Sequence, residues 1–240
     1  MLQDEKDHTR FSFMEELTLD QLERVTFTVL DTETTGKFPE IDRVIEIGAM
    51  KCRFAALPSD GELNVRLAEP FETFNQLINP EIPLPAEVIS IHGIHDDMLA
   101  AEPTFSQIAS SFEEFIGESI LVAHNAPFDI DFLAGEFRRA GRVPKLHSVV
   151  DTVKLARIVW PNLENHKLTT LAKLLKVDKG PAHRALQDTE SCMRVFQACL
   201  NFFAKKEGPV TLKQIFTAGN QKPLTFGVPV SEMASQMALF

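Results

Sequence analysis

A mixed α/β sheet covered by helices is the fold class this sequence predicts, and three observations carry it. Between Val25 and Ile78, β-rich runs separated by turn residues give the pattern of an antiparallel meander. Beyond Thr104, short apolar runs alternate with amphipathic stretches, as parallel strands do with the helices that join them. The chain has 240 residues, 44% hydrophobic and 24% charged. That is enough apolar material for one sizeable core, as one large domain or a domain with appendages.

In chain order, residues 1–24 read as an N-terminal arm in which Leu17 to Glu23 form a short helix, with Leu19 and Leu22 on one face. Val25 to Leu30 is the first strand. A polar loop with Pro39 follows, then Arg43 to Phe54, whose Val44–Met50 portion is apolar enough to be a largely buried strand. Pro58-Ser59-Asp60-Gly61 signals a turn, leading to strands at Leu63 to Leu67 and Phe71 to Ile78. Asn79 to Pro85 breaks the sheet. Thr104 suits the N-cap of a helix through Phe105, Ile108, Phe112, Phe115 and Ile116, ended by Gly117.

Ser119 to Ala123 is a short buried strand, and Pro127 favours a first helical turn immediately after it. That helix continues through Phe132, Leu133 and Phe137 to Gly141 and Pro144. A strand at His147 to Val150 feeds helices over 151–159, 167–175 and 182–204. The expected domain therefore spans 25–205. The remaining segment, 206–240, is interrupted by Pro209, Pro223 and Pro229, with a short helix at Leu212 to Phe216 and a mostly extended tail. No internal repeat is present.

Composition excludes several classes. A net charge of −10 argues against a wide electrostatic grip on duplex nucleic acid, though not against an enzyme that holds one strand end beside bound cations. No apolar run is long enough to span a membrane, and the charged N-terminus lacks the apolar core of a secretory signal. The three cysteines, Cys52, Cys192 and Cys199, lack metal-ligand spacing. They read as buried thiols in a reducing, cytoplasmic compartment.

The chemistry begins at Phe27-Thr28-Val29-Leu30-Asp31-Thr32-Glu33-Thr34-Thr35-Gly36. Side chains alternate along a strand, so Asp31 and Glu33 project from the same face. Adjacent carboxylates repel unless a cation lies between them, and hard ions such as Mg²⁺ or Mn²⁺ take oxygen ligands of this kind. Thr34, Thr35 and Gly36 are expected to leave N–H groups and hydroxyls free near the site, with Gly36 admitting a ligand close to the backbone. Alone, an Asp-x-Glu at a strand end is as well explained by solvated acids. Asp129 adds a third carboxylate at a helix start after a buried strand, where open α/β sheets build sites. Asp188 adds a fourth. Five residues on a helix turn through about 140°, so His183 is placed at the helix entry or in the loop behind it rather than on the face of Asp188.

Asp31-Thr-Glu33-Thr-Thr-Gly, Ala-His124-Asn125-Ala-Pro-Phe128-Asp129 and His183-Arg-Ala-Leu-Gln-Asp188 resemble, in order and interval, the three motifs of the DEDDh 3′→5′ exonucleases, relatives of the proofreading epsilon subunit of bacterial DNA polymerase III. Ile91-His92-Gly93-Ile94 and Asp151 to Arg157 are similar to further segments of that family. The resemblance covers about residues 25–203 and implies a ribonuclease H-like fold, with a mixed five-stranded sheet flanked by helices. The absence of tyrosine rules out the sister class whose last motif uses that residue. Departures are His95, where relatives often have threonine, and a loop around Phe54 to Leu67 that reads as longer than usual.

The resemblance implies two Mg²⁺ or Mn²⁺ ions held by the four acids. Asp31 would bridge them, Glu33 and Asp188 would hold the ion on the nucleophile side, and Asp129 would support the other. His183 would be the general base. By the same resemblance Thr34, Thr35, Gly36, Ile91, His92 and Phe128 would contact the terminal nucleotide, whereas His124 and Asn125 would be mainly structural. Arg138, Arg139, Arg142 and Lys145 read as solvated helix charges more readily than as a track for the strand. The last five residues resemble a bacterial sliding-clamp-binding peptide, with Gln236, Met237, Leu239 and Phe240 as its contacts. The alternative is that Leu239 and Phe240 cover an apolar patch of the domain.

These readings give three functions to weigh. One is an exonuclease acting on the 3′ end of single-stranded DNA, in replication proofreading or repair, with a sliding clamp or polymerase subunit as partner. The second keeps the chemistry but takes RNA, as oligoribonuclease and RNase T do. The third is a non-catalytic adaptor.

Overall fold

The computed structural model describes residues 16–59, 62–177, 184–205, 210–218 and 224–228. A mixed sheet of six strands runs β3-β2-β1-β4-β5-β6. Its strands are β1 (Phe27–Thr34), β2 (Val44–Ser59), β3 (Glu62–Leu77), β4 (Ile120–Ala123), β5 (His147–Asp151) and β6 (Leu224–Phe226). β1, β2 and β3 pair antiparallel, β1, β4 and β5 pair parallel, and β6 lies antiparallel on β5. The helices are α1 (Ala86–His92), α2 (Asp96–Leu99), α3 (Phe105–Ile116), α4 (Ala126–Arg139), α5 (Thr152–Val159), α6 (Leu168–Leu175), α7 (Ala185–Ala204) and α8 (Leu212–Phe216). A 3₁₀ helix, Leu19–Arg24, precedes β1.

The sheet separates two cores, and alternation along β1 assigns its residues to each. Phe27 and Val29 face α7, and Phe27 joins Phe54 and Phe196 in a trio of edge-to-face rings with centroids 5.3–5.7 Å apart. Such pairs add about 0.5–1.5 kcal/mol each beyond area burial. Leu30 faces the other way, toward Phe105, Phe112, Phe132 and Phe137 of α3 and α4. Continuing the alternation, Asp31 and Glu33 lie on the α7 side and Thr32 on the α4 side. This placement decides which helix supplies each later acid.

The local signals act as the sequence predicts at several ends. Thr104 and Gln107 form a capping box at the start of α3, and Gly117 ends it at φ 55°. Pro127 occupies the first turn of α4. Cys52, Cys192 and Cys199 are buried thiols, and burial pushes Cys52 and Cys199 up to about 12. Among the described residues no helix is long and apolar enough to cross a membrane.

Three features differ from expectation. The sheet has six strands rather than five, because residues 224–226 of the supposed tail pair with β5. The two short strands expected at 63–67 and 71–78 are one strand, Glu62–Leu77, paired along β2 with a register shift between Lys51 and Arg53. The same pairing means that residues 54–67 form a long β-ribbon closing at Ser59↔Glu62 instead of a long loop. Each depends on cross-strand pairing, which alternation within one segment does not reveal.

The C-terminal segment also fills space. Leu212 and Ile215 are fully buried and Phe226 nearly so, while Leu212 N–H donates to Leu17 O and Leu19 N–H to Val210 O. Each fully buried side chain of this size contributes about 1.5–3 kcal/mol. Ending the chain after Lys205 is therefore expected to lower Tm by roughly 10 °C or more, or to leave insoluble protein. Thermal unfolding of the shortened and full-length chains would check this.

Candidate active site

β1 outlasts β4: pairing between them ends at Val29↔Val122, so the last turns of β1 leave one backbone edge without a strand partner. Thr32 sits there. Its backbone N–H (2.9 Å) and Oγ1 (2.8 Å) both donate to Oδ1 of Asp129. A buried N–H left by the missing strand thus fixes a carboxylate from the first turn of α4. Asn125, in the left-handed region at φ 69°, turns the chain from β4 into that helix. Its N–H donates to Asp151 Oδ1 at 3.1 Å, and the same oxygen caps α5 through Val153 N–H at 3.0 Å.

On the opposite face, Asp31, Glu33 and Asp188 offer carboxylate oxygens that all lie within 4.8 Å of one another. Asp188 reaches them because α7 presses on β2 at Gly48, the register partner of Asp31. A Cβ on Gly48 would lie 2.3 Å from backbone atoms of Ala185 and Leu186, and Thr189 Oγ1 donates to Gly48 O at 2.8 Å. The start of α7 is pinned again by Glu46. Its buried carboxylate accepts from Arg184 Nε (3.1 Å), Arg184 Nη2 (2.9 Å) and the Ala185 N–H (3.1 Å).

This concentration of carboxylates raises their proton affinity. Burial, then Asp129, Asp188, Glu33 and Glu46, hold Asp31 well above the ordinary carboxylate range. Burial, then Asp188, Glu46 and Asp129, push Glu33 up to about 8 against the opposing effect of Arg184. Burial raises Asp129 to about 7, opposed chiefly by the two Thr32 hydrogen bonds. Oxygen donors gathered this closely, at the cost of mutual repulsion, fit hard divalent cations.

The remaining expected residues fare differently. Thr34 and Thr35 are buried, and their hydroxyls are engaged inside the loop rather than left free. Thr34 Oγ1 donates to Gly36 O at 2.6 Å, and Thr35 Oγ1 accepts from Arg43 N–H at 2.9 Å. Thr35 N–H donates to Arg43 O. Gly36 makes room for Asp42, whose carboxylate carbon would lie 2.4 Å from an added Cβ. The close neighbour is thus the chain's own acid. Ile91 is half exposed. His92 is buried, with Nδ1 accepting from Ile94 N–H at 3.0 Å. Phe128 is partly buried against Phe132, with centroids 4.8 Å apart. His124 Nδ1 lies 2.9 Å from Thr152 Oγ1 and Nε2 lies 2.9 Å from His166 O, a strand-end tie. Arg139 and Arg142 are paired with Glu136 and Glu113. His183 and the peptide 236–240 lie outside the described residues.

Glu46 and Gly48 were missed. A carboxylate inside the apolar run Val44–Met50 was the available signal, because a buried charge requires a partner.

A family model described as "Exonuclease" (RNase T) matches residues 28–196. The epsilon subunit of DNA polymerase III from Treponema pallidum is 39% identical over 188 residues, covering 78% of this chain and 81% of that protein. The PolC-type DNA polymerase III of Bacillus cereus is 39% identical over 166 residues, covering 69% of this chain, which spans only 11% of that polymerase. Among solved structures, the nuclease domain of a DEDDh family member bound to rAMP aligns with TM-score 0.57 at 19% identity, over 75% of this chain and 94% of that one. Exonuclease X in complex with 5′-overhanging duplex DNA aligns with TM-score 0.53 at 23% identity, over 79% and 99%. Those two likenesses establish the ribonuclease H-like exonuclease fold. The match over residues 28–196 and the shared length with the treponemal subunit show that this chain belongs to the RNase T-type exonuclease family and is homologous to DNA polymerase III epsilon and PolC.

Proposed function

We propose that this chain is a metal-dependent 3′→5′ exonuclease that removes nucleoside 5′-monophosphates from the 3′ end of single-stranded DNA, in replication proofreading or repair. The observation that carries the reading is the convergence of Asp31, Glu33 and Asp188 within 4.8 Å, next to an Asp129 oriented by Thr32. Homology to polymerase III subunits supports DNA as the substrate and a polymerase subunit as a partner.

In this reading Asp31, Glu33, Asp129 and Asp188 would together hold two Mg²⁺ or Mn²⁺ ions. The chemistry such ions would supply when bound is activation of a water and neutralisation of charge on the phosphoryl oxygens. Glu33 and Asp188 would hold the metal on the side of the attacking water. Asp129, with one oxygen committed to Thr32, would support the metal from the α4 side. His183 takes the proton of the attacking water, and the Glu46–Arg184 ion pair anchors the chain immediately after it. Ile91, His92 and Phe128, with the loop of Thr34, Thr35 and Gly36, border the terminal nucleotide.

The substrate class is tested with matched 5′-labelled DNA and RNA oligonucleotides in Mg²⁺ or Mn²⁺. The expected result is a ladder shortening from the 3′ end, faster on DNA. Faster shortening of RNA would move the chain to RNA processing, and no shortening of either would favour an adaptor. For the proposed clamp-binding peptide, alanine at Leu239 and Phe240 is expected to abolish co-elution with a bacterial sliding clamp while leaving hydrolysis of short DNA intact. Undiminished co-elution would remove the peptide's assigned role.

A further inference from the structure

Some of the bulky apolar side chains exposed to solvent stand near the strand ends beside the acidic cluster, while others, such as Leu57, Leu174 and Phe202, lie elsewhere. Phe38 and Ile41 are the most exposed of them among the described residues, at 63% and 72%; Ile82 and Ile91 follow the same pattern at 41% and 52%. Phe38 and Ile41 stand on the β1–β2 connection, Ile82 follows β3, and Ile91 lies near the end of α1. Antiparallel pairing (Thr34↔Val44, Glu46↔Leu77) brings the end of β1, the start of β2 and the end of β3 to a common edge. Asp31 and Glu33 lie in the last four residues of β1, at that same end of the sheet.

The turn bearing Phe38 and Ile41 is held by polar contacts. Ile41 and Asp42 N–H groups both donate to Phe38 O, at 3.0 and 2.8 Å. Phe38 N–H donates to Asp42 Oδ2 at 2.9 Å, and Arg139 Nη2 donates to Pro39 O. Two large apolar groups are thus presented on a rigid support with little packing of their own to do.

The charge around the site points to what they meet. The chain carries a net charge of −10, and three nearby arginines are already paired, Arg43 and Arg139 with Glu136 and Arg184 with Glu46, although Lys37 stands beside Phe38. Few charges are left here to hold a strand through its phosphates. Base faces offer the complementary contact, being apolar, uncharged and alike enough for any sequence to be accepted.

We propose that Phe38 and Ile41 form a platform for the nucleobases upstream of the 3′-terminal nucleotide, holding the single strand by stacking and apolar contact. This rests on the hydrolytic reading above, and its test separates the two. Steady-state kinetics of the Phe38→Ala/Ile41→Ala protein would be measured on oligothymidylate and on the p-nitrophenyl ester of thymidine 5′-monophosphate. The ester carries the reacting phosphodiester but no upstream base. The oligonucleotide KM is expected to rise at least about fivefold with little change in kcat. The loss is expected to be absent on the ester and largely reversed in Phe38→Trp/Ile41→Leu. An unchanged oligonucleotide KM, or an equal loss on both substrates, would overturn the platform alone. Wild-type protein inert on both would overturn the hydrolytic reading and the platform with it.

Discussion

Asp31→Asn is expected to abolish hydrolysis while making the metal-free protein more stable. Asp31 lies where burial and the charges of Asp129, Asp188, Glu33 and Glu46 all disfavour ionisation. Glu33 is raised to about 8 and Asp129 to about 7. A carboxyl group with a folded-state pKa above its unfolded value keeps its proton longer in the native state. Without metal, stability is then highest below the unfolded values, near pH 4, and falls as pH rises toward 8. Each pH unit over which such a group withholds its charge costs about 1.4 kcal/mol. For a chain of this size 1 kcal/mol is worth about 2–4 °C in Tm. In EDTA, the wild-type Tm should therefore decline from pH 5 to pH 8. Asp31→Asn should flatten that decline and raise Tm at pH 8 by several degrees. Mg²⁺ or Mn²⁺ should raise the wild-type Tm more than the variant's. Scanning calorimetry at pH 5 and pH 8 measures all three, and a wild-type Tm that is flat or rising with pH in EDTA would contradict the assigned repulsion.

Gly48→Ala is expected to cost about 100-fold in kcat without unfolding the protein. The added Cβ would lie 2.3 Å from backbone atoms of Ala185 and Leu186, so α7 must move outward by roughly an ångström to regain ordinary contact. Asp188 rides on that turn. Misplacing a catalytic group by about 1 Å costs on the order of 10²-fold, and overpacking of this kind costs about 1–3 kcal/mol in stability. Gly141→Ala is the control: its φ is 63° with nothing within 4 Å of an added Cβ. It should lose about 1–2 kcal/mol from left-handed strain and keep full activity. Equal activity in the two variants would show that α7 does not set the position of Asp188.

Much of the site was legible because it follows local rules. The i, i+2 alternation puts Asp31 and Glu33 on one face, and the strand–Pro–helix pattern puts Asp129 at a helix start. What stayed hidden is tertiary. Glu46 reads as a flaw in a buried strand until its partner Arg184, 138 positions away, is seen beside it. Thr34 and Thr35 look available in one dimension, yet their loop folds back on Arg43 and consumes their hydroxyls. β6 escaped because three residues hold too few alternations to separate a strand from an extended tail. Gly48 carries no chemistry of its own and gains meaning only from the helix laid against it.

The most direct measurement is digestion of 5′-labelled single-stranded DNA in Mn²⁺ by the wild-type protein, with Glu33→Ala run beside it. A ladder of products shortened stepwise from the 3′ end, absent from the Glu33→Ala lane and abolished by EDTA, is the expected result. A ladder of equal strength in the Glu33→Ala lane, or none from the wild-type protein, would contradict the assignment of this acidic cluster as the catalytic centre.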